Sequence, residues 1–599
     1  MTTKREKTAY PRQLWIDVLE VAATSVAAIL VLATLVWETK HYLSTPIYDD
    51  LMDHLRMYRA FPSISEFLKY LVSPHNEHRI LTTRLVAFID EFVFLGREYT
   101  QLIVTSALQL LSACLVYRFV LRPELKDNWV ESDKFLAFFT VTLLFINPNF
   151  LYTLIVPFQL QHAIMAFLCI TSAILVCRLL PTHESEHAPR FLILSLLILA
   201  VVGTFTLGNS PSILIGAFAT ALIVRCKPRF VLILGCMALV HTAVVLLTTT
   251  TAGVTQRNPI QVLKFSLVYL GAPFLRFDPW PTSYVTWWSS VDLAGFFGAA
   301  VLCTAVFFAL VRFFVPGLGG KTAVFGFMIL VIVIATGFAA AHSRAQFGLL
   351  EAANKKYASF SALGWLGTLA VFVGVARHMF GFLKRADVVV FAAILTFILP
   401  LGVSGYARET RLWQKQSGRV WEASLAAFLQ INDRNRLHDL YTDEAGLNEY
   451  LGYVAPTSRG IYSYFPFRWG DDAKAFLSVR QKEKCRSEVE SLNPIAAADL
   501  TTLFKVPGTP VSVSGWAWMD KERQPPESVI VVDSRDRIVG AARITRSSSR
   551  AEEWLGQKLD RDVGWFGFAR LTEPQPVTFF ALSYNGKMVC DLGKVGDVR

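Results

Sequence analysis

Two adjacent carboxylates, Asp49 and Asp50, follow soon after the first long apolar run of the chain, Trp15 to Trp37. Neighbouring acids beside a low-dielectric boundary repel each other, so one of them can hold its proton to higher pH and serve as a general base. The same pair also reads as a solvated acidic turn. Further on, Pro74-His75-Asn76-Glu77-His78-Arg79 concentrates polar groups in a few residues. Glu77, His78 and Arg79 are candidate substrate ligands, and the bland alternative is a helix start of mixed charge. A third group runs from His342-Ser-Arg344 to Lys355-Lys356-Tyr357. Lys as a point charge and Arg as a planar fork both suit phosphate, while simple head-group anchoring by snorkelling side chains is the plainer reading.

Weaker signals surround these. Gln159, Gln161 and His162 open an apolar run and either face a polar cavity or satisfy a helix end. Arg257, Lys264, Arg276 and Asp278 share a segment with Trp280, Trp287 and Trp288, which ordinary interfacial belts also contain. Six of the eight cysteines lie in or beside apolar runs, where they read as small hydrophobes. Cys485 and Cys590 alone lie in the polar tail, so in an oxidising space they can pair. No spacing suggests zinc, and no cofactor is required; an acidic pair can hold a divalent cation, but none is predicted.

The elements that position these groups follow from hydropathy. Of the chain's 599 residues 53% are hydrophobic and only 18% charged, against about 25% charged in soluble domains. The charge is unevenly spread: none falls between Phe191 and Val224 or between Thr322 and Ala341. A membrane crossing needs about 20 mostly apolar residues, which gives about eleven spans at 14–37, 99–120, 134–150, 158–180, 191–208, 211–226, 229–250, 291–314, 322–341, 357–376 and 387–405. Residues 259–275 are apolar enough for a partly inserted helix, and a full crossing there would change the parity. Alternate connectors carry the basic residues: Arg118, Arg122 and Lys126, then Arg225, Lys227 and Arg229, then Arg377, Lys384 and Arg385. That asymmetry predicts a cytoplasmic N-terminus and an exterior C-terminal tail. The net charge of +11 is accounted for by these connectors, and without a basic, aromatic-laced stripe nucleic acid is excluded as a partner.

Three segments, 38–98, 251–290 and 342–356, then fall on the exterior side. In the first, Ser63-Ile-Ser-Glu66 has capping-box form and precedes Ile64, Phe67, Leu68, Leu71 and Val72 at helical spacing, which predicts a helix lying on the membrane surface. A second helix is expected near 79–95. The chain divides into a membrane domain over 1–405, a helical connecting region over 406–505 and a β-sandwich over 506–599, whose short alternating runs are separated by turn residues. Trp516, Trp518, Trp565 and Phe568 either stack on sugars or fill that sandwich's core, the usual place for such rings.

This arrangement resembles the GT-C superfamily of polytopic membrane glycosyltransferases. The resemblance covers roughly residues 14–405 and rests on an acidic pair after the first helix, Asn76-Glu77-His78-Arg79, Pro157-Phe-Gln-Leu-Gln and Lys356-Tyr357-Ala-Ser-Phe. It implies a bacterial inner-membrane enzyme that moves a sugar from a polyprenyl-phosphate donor to an exterior glycan or lipid-linked acceptor. Asp49 or Asp50 would be the base, Glu77, His78, Arg79, His342, Arg344, Lys355, Lys356 and Tyr357 would bind substrate, and lipid bilayer would be the solvent. A transporter or flippase of lipid-linked saccharides, or a non-catalytic envelope assembly protein, would share the basic exterior segments; the transporter should also carry polar groups through the membrane.

Overall fold

The computed structural model describes residues 63–75, 78–121, 141, 145, 156, 159–179, 189–248, 258–276, 290–379, 416–440, 444–496, 503–559 and 562–596. Two compact units result, one built mainly from 64–86 and 100–409, the other from 87–99 and 410–599. Asp49, Asp50, Glu77 and the spans expected at 14–37 and 387–405 lie outside the described residues, as does all but two residues of 134–150.

The first unit is helical. Helix α1 (Ile64–Val72) leads through a hairpin, β1 (Pro74–His75) and β2 (His78–Arg79), into α2 (Leu81–Val93). There follow α3 (Tyr99–Val116), α4 (Leu160–Leu179), α5 (Pro189–Thr204), α6 (Pro211–Ile223), α7 (Pro228–Thr248), α8 (Pro259–Arg276), α9 (Ser290–Phe314), α10 (Gly320–Arg344), α11 (Leu349–Ala352) and α12 (Lys355–Met379). Among the described residues six of these (α3, α4, α7, α9, α10 and α12) are long and apolar enough to cross a membrane, which makes the chain a membrane protein. Helices α5 and α6 are apolar but short, 16 and 13 residues, or about 24 and 20 Å against a hydrocarbon core of ~30 Å.

Small residues set how closely these helices approach. A Cβ on Gly271 of α8 would run into the carbonyl of Ala294 on α9, and one on Gly298 into that of Leu267. Backbones meet directly there, the packing expected where no hydrophobic drive separates helices from lipid. The segment expected to be partly inserted is thus a helix of the bundle, with Phe265, Val268, Tyr269 and Leu270 all buried. On α1 the exposed Ile64, Leu68 and Val72 form one stripe while Tyr70 and Leu71 are buried, so the single apolar face expected from the sequence is divided.

The second unit joins α2's C-terminal half and the turn after it to the tail. Helix α13 over 416–428, α14 (Arg434–Leu440), α15 (Glu444–Thr457) and α16 (Ala473–Ser478) precede the sheet. Its strands are β3 (Gln481–Lys482), β4 (Cys485–Pro494), β5 (Thr509–Met519), β6 (Ser528–Val532), β7 (Ile538–Arg546), β8 (Gly564–Leu571), β9 (Val577–Leu582) and β10 (Met588–Val595), with α17 (Ser549–Leu555) between β7 and β8. The order is β3-β10-β9-β6-β7-β8-β5-β4.

The expected two-sheet sandwich is therefore corrected to one rolled sheet. Its two ends, β3 and β4, are consecutive in the chain, so residues 481–494 close the sheet on itself. The sheet also begins earlier than expected, inside the stretch read as a helical connecting region. Tight curvature needs close strands: a Cβ on Gly567 would run into the Ala541 carbonyl, and one on Gly515 would lie 2.5 Å from the Trp565 ring. Trp565 fills the space this leaves and stacks on Phe579, with centroids 5.5 Å apart. Trp516, Trp565 and Phe568 are fully buried and Trp518 is buried to 8% exposure, so the core reading of these rings holds.

Candidate functional site

The polar hairpin of the first unit is tied down from both sides. Arg84 is buried and donates to the carbonyls of Tyr70 (2.5 Å) and Ser73 (2.7 Å), which satisfies the end of α1 that the helix leaves unpaired. Thr82 donates from its amide to the Phe205 carbonyl at 3.2 Å and from its hydroxyl to Thr206 at 3.1 Å. These bonds bring β2 to the turn between α5 and α6. His78 lies against that turn so tightly that a Cβ on Gly208 would sit 2.5 Å from its Nδ1. Arg79 turns elsewhere: it donates to Val72 O at 3.2 Å and to Thr248 Oγ1 at 3.0 Å, bracing the end of α7.

Next to His78 stands the start of α4. His162 is close enough to His78, Lys356 and Arg344 to feel all three charges. Gln159, Gln161 and His162 are each buried, and Gln159 Oε1, Gln161 Oε1 and His162 Nδ1 have no partner among the described residues. Asn209, on the turn that carries Gly208, donates to Thr336 at 3.2 Å, while its Oδ1 is also unpaired. Buried polar atoms are normally satisfied, so a group of orphans calls for a ligand or water.

The late cations converge on a carboxylate that the sequence reading passed over. Glu351, in the short helix α11, pairs with Lys356 at 2.7 Å and Arg344 at 3.7 Å, and accepts from Tyr357 (3.4 Å) and Asn354 (3.2 Å). Partial burial works against its charge, but the Lys356 and Asn354 hydrogen bonds and the Arg344 guanidinium hold its carboxyl below the usual range. One carboxylate thus faces two cations. Tyr357 packs on Tyr269 of α8, with centroids 5.4 Å apart, which anchors the first turn of α12. His342 lies exposed in the last turn of α10, and Lys355 opens α12, its side chain lying outside what the structure describes.

So His78 and the group Arg344, Lys356 and Tyr357 come from two separate stretches of sequence toward one neighbourhood, joined by His162 and Glu351. Arg344 and Lys356 are the groups there that suit an anion; the unpaired amide atoms are oxygens, which call for hydrogen-bond donors such as sugar hydroxyls or water. Of the weaker set, Lys264 lies on α8, and Arg257, Asp278, Trp280, Trp287 and Trp288 lie outside the described residues. A separate feature runs along α3, where Gln101, Thr105, Gln109 and Ser112 are all buried on one face over roughly 16 Å of helix. Gln101 Oε1, Thr105 Oγ1 and Ser112 Oγ lack partners among the described residues.

In the second unit Cys485 and Cys590 form a disulfide, Cα atoms 6.0 Å apart. It ties β4 to β10 beside the seam where the sheet closes. The same unit buries three acids from the first-loop segment. Glu91 accepts from Tyr453 and Arg459, both at 2.6 Å, and the Glu98 amide donates to Asp90 at 2.5 Å. Burial, with the Asp90 charge beside it, pushes the Glu98 carboxyl well above its usual value. No group of metal-ligating side chains occurs among the described residues. No family model, curated protein or solved structure matches this chain.

Proposed function

We propose that the chain is a membrane glycosyltransferase of the bacterial inner membrane. It would take a sugar from a polyprenyl-phosphate donor and pass it to an exterior glycan or lipid-linked acceptor. The observation that carries this reading is the gathering of Arg344 and Lys356 on Glu351, within electrostatic reach of His162. Charge grows on the donor phosphate as the anomeric carbon–oxygen bond breaks, and preorganised cations stabilise that charge more in the transition state than in the ground state. Glu351 holds the two cations in place until phosphate takes over their donors. Asp49 or Asp50 takes the proton of the acceptor hydroxyl as its oxygen attacks the anomeric carbon; polyprenyl phosphate departs. The N-terminus is cytoplasmic and the tail exterior, in keeping with the disulfide.

Asp49→Asn with Asp50→Asn tests this. In vesicles supplied with a mixture of polyprenyl-phosphate sugars, transfer should fall by about two orders of magnitude or more, with unchanged amounts of protein in the membrane. Equal transfer by wild type and double variant would remove the enzymatic reading. A lipid-linked saccharide transporter is the second reading, favoured by the buried polar face of α3. Uncharged polar stripes also join helices to one another, and the stripe carries no ionisable group, so it ranks second.

A further inference from the structure

We infer that the rolled sheet carries a separate cleft that binds an anionic saccharide chain. The cleft encloses about 620 Å³, and its floor is Trp518, Leu555 and Leu559. Arg486, Arg523, Lys558, Gln557 and Asp520 form its rim. Arg486 pairs with Asp520 at 2.8 Å, while Arg523 and Lys558 have no acidic partner among the described residues. A smaller cleft of about 250 Å³ shares Asp520 and adds Lys482, Lys484, Lys521 and one acid, Glu483, which accepts from the Lys521 amide. The two together make a cationic track in which a chain of repeating charge finds several contacts.

Two further observations point to a built site. Arg523 holds a left-handed backbone, φ 51°, a conformation that disfavours any side chain and gathers at functional positions. The loop is fixed in that form, with the Met519 amide donating to the Gln524 carbonyl at 2.9 Å. Cys485, in its disulfide, lies directly between Lys484 and Arg486, so both cations spring from a pinned strand. The saccharide choice follows from chemistry. Leu555 and Leu559, partly buried and packed on the core that holds Trp518, offer an apolar patch to ring C–H faces, Gln557 and Asp520 suit hydroxyls, and the cations suit carboxylate or phosphate substituents. A disulfide marks an oxidising compartment, where acidic glycans rather than nucleic acids are at hand.

This inference shares the exterior placement of the tail with the reading above but none of its site residues, so the two fail separately. The full-length protein in nanodiscs of zwitterionic lipid is titrated with hexagalacturonate and, for comparison, neutral maltohexaose. Hexagalacturonate should bind saturably, more weakly as salt rises, and maltohexaose roughly ten-fold or more weakly than it. Arg523→Ala with Lys558→Ala should cost a similar factor, while Arg344→Ala with Lys356→Ala leaves hexagalacturonate binding unchanged. Both Arg523 and Lys558 are surface residues, and tail folding is checked by retention of the disulfide. No saturable binding by wild type, equal binding of the two hexamers, or undiminished binding by the Arg523/Lys558 variant overturns the inference. Tighter binding to phosphatidylglycerol vesicles than to hexagalacturonate overturns it as well, in favour of a lipid surface.

Discussion

Glu351 shows what single residues contribute that composition hides. The segment 342–356 reads as cationic because Arg344, Lys355 and Lys356 outnumber its one acid. Yet that acid bonds two of the cations and Tyr357, so it decides their geometry. His162 was legible as a polar residue opening a span, but its neighbours were not, since they come from distant parts of the chain. Glu98 carries a testable consequence of burial. Its carboxyl is raised by desolvation first and by Asp90 second, and its backbone is left-handed at φ 65°. A raised acid contributes stability that is full below the unfolded value, near 4.5, and is lost as pH rises through the folded value. Glu98→Gln, which needs no proton, should therefore raise the melting temperature at pH 8 and change it little at pH 4. A variant that melts lower at pH 8 would mean that Glu98 is charged and paired in the folded protein.

Among elements, the apolar helices were the most legible, because lipid demands long runs without charge and the runs are visible one residue at a time. Their faces were not legible: within α8 and α9 nearly everything is apolar, and only Gly271 and Gly298 mark where backbones touch. The hairpin at Pro74–Arg79 was missed because two-residue strands have no period to detect. Strand β4 does alternate, its residues turning by turns partly inward and outward, but it borders a helical stretch and was grouped with it. Alternation also cannot tell two packed sheets from one rolled sheet; strand order decides that. The disulfide makes the distinction measurable. It encloses a sequence separation of 105 residues across the closing seam, and loops of that length give about 2–5 kcal/mol. Cys485→Ser with Cys590→Ser should lower the tail's stability to denaturant by that order, read from the near-ultraviolet signal of Trp565. A loss below about 0.5 kcal/mol would mean that the seam holds without the bond.

For the whole molecule, the order of elements matters less than which stretches of chain end together. Residues 87–99 part from residues 64–86 of the first loop and fold with the tail, where Arg459 and Tyr453 meet Glu91. Nothing in local composition announces such a long-range pairing. The same holds for the site: nothing in local sequence announces that His78 packs against Gly208 or that Arg344 and Lys356 share Glu351. The central claim is that this neighbourhood recognises the phosphate of a lipid carrier. Its most direct test is binding of polyprenyl phosphate, against unphosphorylated polyprenol, to wild type and to Arg344→Ala with Lys356→Ala in nanodiscs. Wild type should prefer the phosphate by roughly ten-fold or more, and the variant should lose that preference while still binding the polyprenol. A wild type indifferent to the phosphate, or a variant that keeps the full preference, contradicts the account.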